Sequence, residues 1–283
     1  MTERRAAVTM RSMRATVTVA GVPGVEIAYH RKGAGEPLLL LHGIGHHRQA
    51  FDPVLDQLAE HRDVIALDFP GFGESPDVPD GVPNELDSFA RAVEALCTAL
   101  DLDHPHVAGN SMGGLVALRL GQLGLVRSVT ALSPAGFWTP RENAWALGLL
   151  TNLRRVARRT PESDVRRLSR TAAGRRVMTG AIYHRPALRD PDAVVAETHA
   201  LANAPAFNRV AAHARTGITF TGDVPGIPVT IAWGTHDRVL VPTQAARAHL
   251  QLPQAKSVPL LNCGHVPMND APTLVATTIL QTT

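Results

Sequence analysis

The segment Gly109-Asn110-Ser111-Met112-Gly113-Gly114 constrains the fold of this chain more than any other feature. It lies between a short apolar run typical of a strand, His106–Gly109, and an apolar stretch with helical spacing, Ser111–Leu123. Glycines two residues before and two residues after the serine allow a sharp strand-to-helix turn, because side chains there would collide with the turn. Such a turn presents the serine hydroxyl above a sheet, beside a helix N-terminus that favours negative charge.

Short apolar runs and helical stretches alternate along much of the chain. This alternation predicts an α/β fold with a mostly parallel central sheet flanked by helices. Pro37–Leu41 is apolar throughout, which is typical of a strand buried on both faces. The other predicted strands are Thr16–Ala20, Val25–Tyr29, Val64–Leu67, Val126–Leu132, Ile227–Trp233 and Ala255–Leu261. The other predicted helices are Glu85–Leu102, with Asn84 as its N-cap, Thr243–Leu250 and Asn269–Gln281.

The strand pattern is interrupted between residues 137 and 223. This stretch has helical spacing and contains 14 arginines against 7 acidic residues. We therefore expect residues 1–136 and 224–283 to form the α/β core and residues 137–223 to form an inserted helical cap. On one predicted helix of this insertion, Arg154, Arg155, Arg158 and Arg159 share a face. One interpretation is that this face is simply exposed to solvent. The other is that it attracts an anionic substrate or contacts an acidic lipid surface.

Composition argues against several classes of protein. Aromatic residues make up only 4% of the chain, too few for a platform that stacks single-stranded nucleic acid. No apolar run reaches the roughly 18 residues of a membrane span, and the basic N-terminus is not followed by the apolar core of a secretory signal. We therefore expect a cytoplasmic protein with no nucleic-acid partner and no integral membrane segment.

A metal or disulfide site is also not expected. The two cysteines, Cys97 and Cys263, are too few for a disulfide framework or a zinc site. The histidines and carboxylates lack the spacing of common metal motifs, so neither a metal nor another cofactor is predicted.

A serine needs a base, and the base needs an orienting acid, before it becomes a nucleophile near neutral pH. Asp237 and His265 each follow a predicted strand, and the carboxyl ends of parallel strands meet at one sheet edge. With Ser111 they give the chain order serine, acid, histidine. Glu74 is an alternative acid that breaks this order, and His236 is an alternative base that we expect to point away.

The loop His42-Gly43-Ile44-Gly45 follows the buried strand Pro37–Leu41 and is suited to holding an oxyanion. The two predicted donors are the backbone N–H groups of Ile44 and Met112, the residue after the serine. The predicted substrate contacts are His42, Gly43, Trp138 and Val266.

Taken together, these segments resemble those of the α/β-hydrolase superfamily. The matching pieces are His42–Gly45, Asp68–Ser75, Gly109–Gly114, the Asp237 loop and Gly264-His265. The resemblance implies an eight-stranded sheet, a cap inserted after the sixth strand, and a Ser-Asp-His hydrolase. Dehalogenases and epoxide hydrolases of this superfamily carry aspartate at the elbow, so Ser111 excludes them.

The predicted activity is that of a serine hydrolase, which cleaves a small or medium carboxylic ester with an apolar acyl part. The elbow is also similar to that of carbon–carbon bond hydrolases, which typically have Gly-Pro-Gly where this chain has Ile44-Gly45-His46-His47. Carbon–carbon bond hydrolysis, lactone opening and perhydrolysis therefore stay open as alternatives with the same triad. A binding protein without turnover, built on the same scaffold, is the alternative from another class.

Overall fold

The structure is a computed structural model that describes residues 12–79, 82 and 85–283. The predicted N-cap Asn84 lies outside these residues. The strands are β1 (Met13–Val19), β2 (Val22–Lys32), β3 (Pro37–Leu41), β4 (Asp63–Leu67), β5 (His106–Asn110), β6 (Ser128–Leu132), β7 (Val229–Gly234) and β8 (Lys256–Leu260).

The eight strands form one sheet in the order β1-β2-β4-β3-β5-β6-β7-β8. β1 and β2 pair antiparallel, as do β2 and β4, whereas all pairs from β4 through β3 to β8 are parallel. The predicted α/β fold with a mostly parallel sheet is confirmed. The carboxyl ends of β3, β5, β7 and β8 therefore lie at one edge, where ligands of such sheets bind.

Both faces of the sheet are buried. In β3, Leu39 and Leu41 pack into one apolar core, and Leu38 and Leu40 pack into a second core on the opposite face. Burial on both faces explains why the strand is apolar at every position rather than alternating.

Helices cover the two faces and fill the insertion. The helices of the core are α1 (Asp52–Ala59), α2 (Leu86–Ala99), α3 (Met112–Gln122), α9 (Thr243–Gln251), α10 (Pro267–Asp270) and α11 (Pro272–Leu280). Between β6 and β7 the chain forms α4 (Pro140–Arg159), α5 (Glu162–Ser169), α6 (Ala172–Thr179), α7 (Pro191–Asn203) and α8 (Phe207–Arg215). Among the described residues, no strand lies between β6 and β7.

Several predicted boundaries differ from the structure, including those of the closing helix and of the N-terminal hairpin. The closing helix is not continuous over Asn269–Gln281, because Pro272 restricts the preceding residue, and Ala271 leaves the helical region with φ −147°. The N-terminal hairpin turns at Ala20–Gly21, and β2 begins at Val22, before the predicted strand start at Val25.

The arginine-rich face of α4 is not uniformly solvated. Arg154 is buried and donates hydrogen bonds to the carbonyl oxygens of Leu201 and Ala204, at 3.1 and 3.0 Å. Its guanidinium also lies over the ring of Phe207, 5.1 Å from the centroid. Arg154 therefore anchors α4 to α7 and α8. None of the helices in the described part of the chain has the length and apolar character needed to span a bilayer.

Candidate active site

Ser111 occupies a strained turn between β5 and α3. Its backbone has φ 58° and ψ −116°, a region that non-glycine residues rarely adopt. A Cβ on Gly109 would lie 2.1 Å from the Gly113 carbonyl oxygen, and a Cβ on Gly113 would lie 2.1 Å from the Leu41 carbonyl oxygen. Both positions therefore require glycine, because any side chain there would collide with the backbone of the turn.

Asp237 and His265 meet at the same sheet edge. Asp237 follows β7, His265 follows β8, and the Nδ1 atom of His265 lies 2.8 Å from the Oδ2 atom of Asp237. The other oxygen, Oδ1, accepts the backbone N–H groups of Val239 and Leu240 at 2.9 and 2.8 Å. These two donors fix the carboxylate so that Oδ2 faces the imidazole.

The loop after β3 lies directly against the serine. A Cβ on Gly43 would be 3.1 Å from the Ser111 Cβ and 3.6 Å from its Oγ, so Gly43 allows a close approach. The N–H of Met112 belongs to the first turn of α3, where N–H groups have no intrahelical acceptor. Both backbone segments are thus adjacent to the hydroxyl.

The structure corrects the role predicted for His42. Its side chain is fully buried, and it does not line the substrate cavity. Nε2 accepts the Phe69 N–H at 3.0 Å, so Nδ1 carries the proton and donates to the Gly43 carbonyl at 2.7 Å. Burial lowers the pKa of this imidazole, which keeps it neutral. His42 therefore positions the loop from beneath instead of contacting substrate.

A cavity of about 320 Å³ lies between the sheet edge and the insertion. Ser111 and His265 line it, together with the predicted contacts Gly43, Ile44 and Val266. Half of the remaining lining residues are apolar side chains from α4 to α7, namely Leu150, Leu153, Val156, Ala157, Val165, Leu168, Val177, Met178 and Leu201. An apolar group can therefore lie next to the serine and away from water.

A second, smaller cavity of about 60 Å³ lies on another side of Ser111. It is lined by Met112 and by the predicted contact Trp138, whose indole N–H donates to the Ile218 carbonyl at 2.9 Å. Ile44 and Leu150 border both cavities. The two spaces therefore offer a large and a small apolar region around one hydroxyl.

One polar cluster interrupts the apolar wall of the larger cavity. The Tyr183 hydroxyl donates to Glu197 at 2.9 Å and lies 3.3 Å from Nε2 of His46. Glu197 also forms an ion pair with Arg189, which stacks on the Tyr183 ring. Burial holds the pKa of His46 well below its ordinary value, so the imidazole is neutral. Within this cluster, the charge of Glu197 is thus balanced by that of Arg189.

Two residues that the sequence reasoning missed fix the histidine loop. The side-chain N–H of Asn110 donates to the His265 carbonyl at 2.9 Å, which ties this loop to the serine turn. The buried carboxylate of Asp270 accepts the backbone N–H groups of Gly264, His184 and Arg185 at 2.8, 2.9 and 2.7 Å. Asp270 thereby joins the loop to the insertion. Asn110 could have been identified from sequence, because it directly precedes Ser111 in the serine turn. No sequence pattern indicated the role of Asp270.

We expect Asp270→Asn to lower both stability and turnover. The asparagine amide has only one oxygen, so it cannot accept all three backbone N–H groups. Each buried N–H left without an acceptor should lower the free energy of unfolding by about 1–3 kcal/mol. A displaced imidazole should also reduce kcat by about 10- to 100-fold. Thermal unfolding and steady-state kinetics test this, with Asp192→Asn, which removes an exposed carboxylate, as the control. Wild-type values for both quantities in Asp270→Asn would contradict this role.

The competing candidates lie elsewhere. The ring of His236 packs against that of His184, with centroids 3.9 Å apart and ring planes tilted by 35°. Glu74 accepts a hydrogen bond from Arg48 at 2.8 Å. Cys263 is fully buried, and burial raises the pKa of its thiol to about 12, which makes it a poor nucleophile. Among the described residues there is no grouping of three potential metal ligands.

Known proteins share this architecture. Residues 38–278 match the model of the alpha/beta hydrolase family. The esterase of Thermogutta terrifontis superposes with a TM-score of 0.74 at 22% identity, covering 95% of this chain and 97% of the esterase. Lipase 3 of Moraxella sp. is 25% identical over 263 residues, which are 90% of this chain and 80% of the lipase.

A third relative is the 2-hydroxy-6-oxo-2,4-heptadienoate hydrolase of Pseudomonas putida, 37% identical over 98 residues, which are 34% of this chain and 35% of that enzyme. It and two other curated relatives are matched over only about a third of their own length. The family match, in contrast, extends from β3 to α11 and includes the serine turn and the two loops that bring Asp237 to His265. The chain therefore belongs to the alpha/beta hydrolase family.

Proposed function

We infer that this protein is a serine hydrolase that cleaves a carboxylic ester of small to medium size through an acyl-enzyme. The observation that carries the proposal is the 2.8 Å contact between His265 and Asp237, beside a cavity whose wall also includes Ser111. The esterase and lipase relatives are consistent with this reaction class.

In the proposed reaction, the Oγ atom of Ser111 attacks the ester carbonyl carbon. Nδ1 of His265 donates to Asp237, so Nε2 is the nitrogen that accepts the hydroxyl proton. The imidazolium then protonates the leaving alcohol, and Asp237 stabilises its charge. Water attacks the acyl-enzyme by the same route, which releases the acid and restores the serine.

The tetrahedral intermediates place negative charge on the former carbonyl oxygen. The proposed donors are the backbone N–H groups of Ile44 and Met112, since both border the cavities at Ser111. The proposed reaction uses no cofactor.

The two cavities suggest an ester with unequal arms. The larger cavity, about 320 Å³ and apolar, suits an extended acyl chain, whereas the smaller one, about 60 Å³, suits a short alcohol such as methanol or ethanol. We therefore measure two matched series: methyl esters of increasing acyl length, and acetates of increasing alcohol length. Activity should persist along the first series and fall along the second. If activity instead persisted only along the acetate series, the larger cavity would hold the alcohol and the smaller cavity the acyl group.

Ala157→Phe should shift the preferred acyl length downward. Ala157 lines the larger cavity from α4, and a phenyl ring there would occupy space that the chain needs. We expect at least a tenfold loss of kcat/KM for long acyl esters with little change for methyl acetate, because each buried CH₂ contributes about 0.8 kcal/mol. Ala173→Phe, on the exposed side of α6, is the control. An unchanged length profile would exclude this cavity as the acyl site.

Carbon–carbon bond hydrolysis is the second candidate, favoured by the similarity to the Pseudomonas putida hydrolase. It and lactone opening would use the same three residues. A ring-cleavage dienoate, a lactone and a methyl ester, assayed side by side, distinguish the three reactions. If none is turned over, labelling of Ser111 by a fluorophosphonate separates an enzyme with another substrate from a binding protein.

A further inference from the structure

The larger cavity opens to solvent between α4, α5 and α6. Three apolar residues, one from each helix, line the cavity and also project into water: Val156, Leu168 and Val177. Their exposed fractions are 54%, 37% and 82%. These three residues form an apolar rim around the entrance that leads to Ser111.

The helices that carry this apolar rim are rich in arginine. Residues 155–176 contain eight arginines against two acidic residues, Glu162 and Asp164. Each acid is paired with one arginine of α5. Within the described chain, no ion pair involves the exposed side chains of Arg155, Arg158, Arg159, Arg170 and Arg176. The segment that carries the rim therefore combines a net positive charge with exposed apolar side chains.

The positive charge stays outside the cavity. No lysine or arginine lines the larger cavity, and its one carboxylate, Glu197, is paired with Arg189 and Tyr183. An anionic group inside would find no cation free to compensate it. The anions that match these arginines must therefore remain at the rim while an apolar chain enters.

We propose that the rim docks on an anionic lipid surface and draws its apolar ester from that surface. The arginines spread over three helices, so they match a layer of phosphate groups and not one small anion. The projecting Val156 and Val177 gain free energy only where they leave water, as they do at the acyl boundary of a bilayer. The docking itself does not depend on the proposed esterase function, whereas the statement that the ester comes from the lipid surface rests on that function.

The test measures binding separately from hydrolysis. Ser111→Ala protein is mixed with vesicles of phosphatidylcholine alone, or of phosphatidylcholine with one-third phosphatidylglycerol, and bound protein is measured by flotation. We expect binding to the anionic vesicles that weakens as salt rises to about 1 M, where the Debye length is about 3 Å. Little binding to the neutral vesicles is expected.

Two rim variants define the surface. The triple change Arg155→Gln, Arg158→Gln and Arg159→Gln should weaken partitioning by about 100-fold, roughly fivefold for each arginine. Val177→Ser should weaken it by about tenfold, since an apolar side chain no longer inserts. The control triple, Arg14→Gln, Arg91→Gln and Lys256→Gln, removes three exposed charges outside the insertion and should bind normally.

The same variants in the Ser111 background separate this proposal from the proposed activity. The arginine triple should hydrolyse dissolved methyl butyrate at the wild-type rate. Equal binding by both triples, or no binding to anionic vesicles, would overturn the docking proposal and leave the esterase proposal untouched. Association of the protein with itself that is lost in the rim variants would identify a second copy as the partner, which also overturns it.

Discussion

Ser111→Ala should reduce kcat for methyl butyrate by about 10⁴-fold or more, because the variant lacks the proposed nucleophile and would retain only binding and oxyanion stabilisation. The fold should persist, since the change removes one small hydroxyl from a buried turn. Steady-state kinetics and thermal unfolding of the purified variant measure both quantities.

Ser133→Ala is the matched control for this loss. Ser133 is also buried, also follows a strand of the sheet, and also has a positive φ, 41° compared with 58° for Ser111. It lines neither cavity at Ser111. We expect Ser133→Ala to retain most of the activity, and equal losses in the two variants would argue against Ser111 as the nucleophile.

Asp237→Asn should lower kcat by about 10⁴-fold while leaving the site assembled. The N–H groups of Val239 and Leu240 hold Oδ1, so the asparagine keeps its oxygen there and turns its NH₂ towards His265. That group cannot accept the Nδ1 proton, which forces the other tautomer of the imidazole and places a proton on Nε2. The nitrogen beside the substrate then cannot act as a base.

The control for Asp237→Asn is Asp63→Asn, which removes another buried carboxylate, one that pairs with Arg31 at the far end of β4. It should lower stability through the lost ion pair and leave kcat nearly unchanged. Labelling of Ser111 by a fluorophosphonate should be slow in Asp237→Asn and normal in Asp63→Asn. Full activity of Asp237→Asn would remove Asp237 from the proposed mechanism.

The parts of the fold that were predictable from sequence are those fixed by local chemistry. The apolar run Pro37–Leu41 indicated a strand covered on both faces, and its side chains do enter two separate cores. The glycines around Ser111 indicated a turn that no other residue permits, and the approaches of 2.1 Å explain why. Chain order then placed Asp237 and His265 on loops at the same edge.

The contacts that sequence reasoning missed join segments far apart in the chain. Asp270 accepts N–H groups from the insertion, about 85 residues earlier, and no local pattern indicates such a partner. Arg154 shares a helical stripe with exposed arginines and is buried only because α7 and α8 pack against it. His42 belongs to the expected loop, but its orientation depends on the Phe69 N–H. These features follow from tertiary packing, which a helical or strand period does not encode.

The most direct test of the account is to trap the acyl-enzyme. Protein mixed with an excess of a methyl ester is quenched in acid, digested, and mapped by mass spectrometry. We expect an acyl group on the peptide that contains Ser111, and we expect none on the corresponding peptide of Ser111→Ala. An acyl group on Cys263 or on another residue, or sustained hydrolysis by Ser111→Ala at the wild-type rate, would contradict it.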